Sequence, residues 1–161
     1  MSNPNNDDNK KIVLFSLDEP RYALYLSVVE RVVRAVEITP LPKAPEIVPG
    51  VINFHGEIIT VIDMRRRFNL SAREIKLEDQ LIVARTSKRL VALVVDSVIG
   101  IRELNHNQIV NAEQAFPFTD YLSGAAKIEG NLILITDLDK FLSLDEESKL
   151  EIATREMTDE S

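Results

Sequence analysis

Residues 50–68 read GVINFHGEIITVIDMRRRF, and residues 124–142 read GAAKIEGNLILITDLDKFL. Aligned on their first glycines, the stretches match at Gly50 and Gly124, Gly56 and Gly130, Asp63 and Asp137, and Met64 and Leu138, each pair 74 residues apart. In both, two apolar, β-branched-rich runs flank an x-Gly pair, the pattern of a tight hairpin whose turn needs φ > 0. Glycine enters that region without steric cost, and histidine tolerates it better than most side chains, so His55 fits the first turn position. Each second run ends on an aspartate ahead of a short helical pattern. A carboxylate there accepts hydrogen bonds from helical N–H groups that have no intrahelical partner, so Asp63 and Asp137 are expected to be N-caps.

The repeat extends upstream. YALYLSVVERV (22–32) superposes on VALVVDSVIGI (91–101), with Ala23 and Leu24 on Ala92 and Leu93. Around these blocks lie further short apolar runs such as KIVLFSL, QLIVART and NLILITD, separated by turn signals, which predicts an all-β barrel or sandwich. Prolines 40, 42, 45 and 49 deny ladder donors and helix to the segment before Gly50, so it is expected to be an extended surface connection. Two copies of one β unit, each too small to bury much apolar area alone, are expected to form two small barrels sharing a core.

Beside carboxylates, His55 raises the question of catalysis. In a strand leaving a tight turn, His55 and Asp63 sit roughly 20 Å apart, beyond hydrogen-bond reach. Glu57 is nearer, and a hydrolase built on His55 and Glu57 is the weaker competing reading. The only other histidine, His106, lies in NHNQ, and two isolated histidines make a poor metal set. Neither a nucleophile elbow nor a phosphate-binding glycine loop is present. Arg65, Arg66 and Arg67 are expected to form a solvated helix face. No catalytic residue, cofactor or metal site is assigned.

Composition narrows the classes further. The 161 residues contain no cysteine, which excludes disulfides, thiolate metal sites and cysteine nucleophiles. The net charge of −7 is concentrated in residues 145–161, where seven acids meet two bases, leaving the body near neutrality without a basic face. That and the absence of tryptophan disfavour an oligonucleotide-binding barrel. MSNPNNDDNK lacks the features of a signal peptide, and no apolar run approaches the length of about 20 residues that spans a bilayer, so a cytoplasmic location is expected.

The proline connection followed by G-V-x-N-x-x-G, an apolar strand and I-D, with V-D-x-V and G-x-L-x-L-x-D downstream, resembles the CheW family of bacterial chemosensory adaptors from about Lys11 to Leu144. The resemblance implies two intertwined five-stranded SH3-like barrels, no catalytic activity, and a bridge between chemoreceptor tips and the regulatory domain of the histidine kinase CheA. That kinase domain is itself CheW-like, and alternating copies close into rings. By matching positions, the implied receptor groove is lined by Val29, Arg31, Gly50, Asn53, His55 and Leu81; the kinase contacts, apolar residues at the barrel ends, are not placed. Two positions depart from the family pattern: His55 stands where the turn arginine is usual, and Arg31 where a glutamate is usual. An arginine fork can hold two acceptors and imidazole cannot, so a receptor-facing surface retuned toward another partner is the alternative expectation.

The chain is thus divided into a disordered tail (1–10), the two-barrel body (11–144) and an acidic C-terminal helix (145–161). Ser143 and Glu146 have capping-box spacing, and Leu150, Ala153 and Met157 recur at helical intervals, so this helix is expected to dock on its own barrels.

Overall fold

The computed structural model describes residues 9–17, 21–34, 37–68, 70, 74–111, 121–141 and 144–159. Its strands are β1 (Asn9–Ser16), β2 (Arg21–Tyr25), β3 (Val29–Arg34), β4 (Gly50–Phe54), β5 (Glu57–Asp63), β6 (Gln80–Arg85), β7 (Leu90–Val95), β8 (Ser97–Asn105), β9 (Ile109–Asn111), β10 (Leu122–Ile128) and β11 (Asn131–Thr136). The helices are α1 (Met64–Arg67) and α2 (Leu144–Asp159), and Leu138–Lys140 forms a 3-10 turn at the repeat position of α1. Strand β1 starts at Asn9, two residues before the expected boundary at Lys11: Asn9 and Lys10 pair with Asn105 and Leu104 of β8. The rest of the expected tail lies outside the described residues.

Both hairpins form as their turn chemistry dictates. His55 (φ 53°) and Gly56 (φ 84°) join β4 to β5, and Glu129 (φ 50°) and Gly130 (φ 83°) join β10 to β11. Positive φ at both central residues matches the right-handed twist of the flanking strands. Both N-caps form too: the carboxylate of Asp63 accepts from the Arg65 N–H at 3.0 Å, and that of Asp137 from the Asp139 N–H at 3.1 Å.

The repeat units exchange strands. One sheet runs β8-β1-β2-β11-β10-β9 and the other β3-β6-β7-β5-β4. In the second sheet β5 lies parallel to β7, with Val61 opposite Ala92; in the first, β11 lies parallel to β2, with Ile135 opposite Ala23. Each barrel therefore takes its two middle strands from one half of the chain and its flanking strands from the other. One barrel has a sixth strand because β9 pairs with β10 over three residues. At the matching place in the other barrel, among the described residues, only the bridge between Thr39 and Val51 forms. Pro40 and Pro42 follow Thr39 there, and a chain without those N–H groups cannot extend a ladder.

Alternating side chains feed three cores. Ile52, Ile59, Val61, Leu81, Val83, Ala92 and Val94 fill the five-stranded barrel. Ile12, Leu14, Ala23, Leu104, Ala126, Ile133 and Ile135 fill the six-stranded one. The residues between them in sequence, such as Ile62, Ile82, Leu93, Tyr22 and Leu24, meet in a larger cluster between the barrels. Strands buried on both faces read as continuous apolar runs, which is why LIVA and LVALVV show no polar alternation.

The proline segment is more than a surface connection. Leu41, Ile47 and Val48 are buried in the shared cluster, and the Ile47 carbonyl accepts the Asp63 N–H at 2.8 Å. The arginines depart from expectation as well, since Arg66 alone of the three is solvated. Arg65 is buried and forks onto Asp96 through Nε at 3.2 Å and Nη2 at 2.7 Å. Arg67 grips Glu146 of α2 at 2.8 and 3.1 Å, donates to the Phe141 carbonyl and lies 4.6 Å from the Tyr121 ring centroid. Arg89 holds Glu147 at 2.5 Å. With Leu150 and Ala153 in the shared cluster, α2 docks as its pattern predicts. Ser143 and the Met157 side chain lie outside the described residues.

Candidate functional site

The β4–β5 hairpin and β3 build one end of the five-stranded barrel. At the turn, Asn53 Oδ1 accepts the Gly56 N–H at 2.9 Å, locking the left-handed pair. Phe54 packs on the barrel core, and the exposed His55 ring meets it edge-on at 4.3 Å and 70°. Strand β3 carries a bulge between Val29 and Arg31. The extra residue resets the side-chain alternation, so Val29 and Val32 both pack toward the shared cluster while Arg31 and Val33 pair with Val83 and Leu81 of the barrel lining. Arg31 thereby comes over the Phe54 ring, its guanidinium carbon 5.9 Å from the centroid, and this contact joins the two outer strands of the sheet as the barrel closes.

The six positions implied by the resemblance divide into two groups. Arg31, Asn53 and His55 are exposed at the barrel end, and Val29 is half-buried beside them on β3. Leu81 is fully buried in the barrel interior, opposite Val33 of β3. Gly50 is likewise buried, because a Cβ on it would stand 2.1 Å from the Thr39 carbonyl oxygen. Its missing side chain lets the Thr39 segment approach β4 closely.

Between the barrels lies a cleft of about 160 Å³ lined by Tyr25, Val28, Arg85, Ser123, Thr136 and Asp137. Burial raises the Tyr25 phenol above its usual pKa, and a hydrogen bond with Ser123 opposes that shift. No sequence spacing could have paired Tyr25 with Ser123, which only the strand exchange brings together. Ile58 and Leu132 are large apolar side chains left exposed. They occupy equivalent repeat positions, each just after its hairpin turn, and stay 57% and 48% exposed. Their signal was available: an outward apolar residue recurring at the 74-residue offset.

His55 and Glu57 sit exposed at the hairpin tip, while Asp63 caps α1 at the far end of β5. Among the described residues no three His, Asp or Glu side chains are grouped to hold a metal ion. No helix among them is long and apolar enough to cross a membrane.

Interleaved barrels whose polar groups serve turns, caps and ion pairs, with paired apolar and charged surface points, define a protein-binding scaffold. The CheW-like domain family model matches residues 11–146. A chemotaxis protein CheW of Thermotoga maritima is 33% identical over 132 residues, covering 82% of this chain and 87% of that protein. One from Rhizobium meliloti is 27% identical over 139 residues, covering 85% and 90%. The crystal structure of the scaffolding protein TtCheW from Thermoanaerobacter tengcongensis superposes with a TM-score of 0.78 at 33% identity, covering 85% of this chain and 94% of that one. The chain belongs to the CheW family, and its function is that of a scaffolding adaptor in bacterial chemotaxis signalling.

Proposed function

We propose that this chain is a non-enzymatic, cytoplasmic bridge between the tip of a methyl-accepting chemoreceptor and the regulatory domain of CheA. The observation that carries the reading is the presence of like apolar points, Ile58 and Leu132, on the two barrels of one molecule, Ile58 standing opposite Asn53 in the hairpin that carries His55 and Leu132 on the other barrel. Ile58 and Leu132 are the kinase contacts. Two such points on one chain let it join a CheW-like kinase domain on either side, which is how alternating copies close a ring. The receptor is held by Val29, Arg31, Asn53 and His55, with Gly50 and Leu81 supporting those strands from inside.

Ile58→Glu and Leu132→Glu test the assignment. Each is expected to weaken binding of the purified CheA regulatory domain at least about tenfold, since burying an unpaired carboxylate in an apolar contact costs several kcal/mol. Binding of a receptor cytoplasmic fragment should be unchanged by Leu132→Glu, whose site lies on the other barrel. Kinase-domain affinity unaltered in both variants would overturn the assignment.

A further inference from the structure

Arg31 is an exposed cation with no carboxylate partner among the described residues. The adjacent acid, Glu30, is engaged elsewhere: Arg85 Nε holds its carboxylate at 2.8 Å. The bulge produces this division, turning Glu30 toward β6 and Arg31 over Phe54. Glu57, the other acid of the hairpin, forms no ion pair with Arg31 or His55 among the described residues. Attraction to the ring face, 5.9 Å from the guanidinium carbon, favours this position of the long side chain before any partner arrives, which lowers the entropy lost when a ligand is held. With no acid paired to it among the described residues, the guanidinium offers its N–H fork, which fits a carboxylate with two parallel hydrogen bonds.

From this geometry we propose that Arg31, braced on Phe54, selects partners presenting a carboxylate, an Asp or Glu on the receptor tip, at the end of the five-stranded barrel. The inference rests on the receptor-binding reading of this surface and names the partner chemistry it requires. Arg31 is the specificity-determining group, and Phe54 is its positioning residue.

The test uses the full chain titrated calorimetrically with soluble cytoplasmic-tip fragments of the receptors from the same cell, at about 0.15 M salt, where exposed charges more than about 8 Å apart are largely screened. Arg31→Glu is expected to weaken binding at least about tenfold, because like charges brought together at an interface are strongly unfavourable. Arg31→Met keeps the apolar cover on Phe54 without the charge and is expected to lose affinity by a smaller factor. Thermal melts check that both variants remain folded, and the Met variant serves if the Glu variant does not. One Asp→Lys or Glu→Lys change in the fragment should restore binding to Arg31→Glu. Fragment affinity within about twofold of wild type for Arg31→Glu or Arg31→Met, or failure of every charge reversal to restore Arg31→Glu, overturns the carboxylate assignment and leaves the receptor reading standing. If the wild-type chain binds no fragment, the receptor reading fails and the inference falls with it.

Discussion

Replacing Gly50 by alanine places a Cβ 2.1 Å from the Thr39 carbonyl oxygen, 2.8 Å from its carbon and 2.9 Å from Ile38 Cγ2. A carbon and a carbonyl oxygen settle at about 3.3 Å or more, so Thr39 must retreat by roughly 1 Å. It cannot do so and keep its bridge, in which Thr39 N donates to Val51 O and Val51 N to Thr39 O, both at 2.9 Å. Thr39 is exposed and regains water, but Val51 is 2% exposed, so its two backbone groups lose partners with little solvent to replace them. At about 1–2 kcal/mol for each, the substitution is expected to cost about 2–4 kcal/mol. For a chain of this length about 1 kcal/mol lowers Tm by roughly 3 °C, so the melt should drop by roughly 6–12 °C. Gly56→Ala is the control: its φ is +84° and nothing lies within 4 Å of the added Cβ. It meets only the left-handed penalty of about 1–2 kcal/mol, partly offset by a less flexible unfolded chain. Urea titrations and thermal melts followed by circular dichroism measure both. Gly50→Ala within about 0.5 kcal/mol of wild type, or less costly than Gly56→Ala, would refute the close-approach account of this glycine.

Two further stability effects follow from the ion pairs and the cleft. The Arg67 and Glu146 side chains are 11% and 22% exposed, so Glu146→Ala leaves a largely buried guanidinium uncompensated and should cost about 2–3 kcal/mol by urea denaturation, discounted for partial exposure. Arg67→Met with Glu146→Leu should recover most of that loss, the more so because Arg67 Nε is buried without an acceptor among the described residues. Tyr25 sets a pH dependence: its folded pKa lies above the unfolded value of 10.0, chiefly through burial. Its contribution is complete below pH 10 and is lost as pH rises through the folded value, so Tyr25→Phe should flatten the alkaline decline in melting temperature.

Local chemistry made parts of this protein readable from sequence. The x-Gly pairs at His55–Gly56 and Glu129–Gly130, and the caps at Asp63 and Asp137, depend on a few neighbouring backbone groups and formed as their residue types require. The 74-residue offset likewise identified a duplicated β unit. The strand exchange came only through the family resemblance, since side-chain alternation fixes which face of a strand is buried and not which strand lies beside it. Alternation would be satisfied equally if β5 lay beside β2 of its own repeat unit in place of β7.

The candidate site divides along the same line. Arg31 and His55 are exposed as a turn and an edge strand would have them, whereas Leu81 is buried and Arg65 and Arg67 are drawn inward to Asp96 and α2. A run of three arginines carries no information about carboxylates 31 and 79 residues away. Sequence by itself determined the turns, the caps, the β class and the repeat, because each is decided within a few residues or by periodicity. Tertiary structure alone decided which strands share a barrel, which charges are neutralised inside, and that Arg31 comes to lie over Phe54, because those depend on distant segments competing for the same buried space.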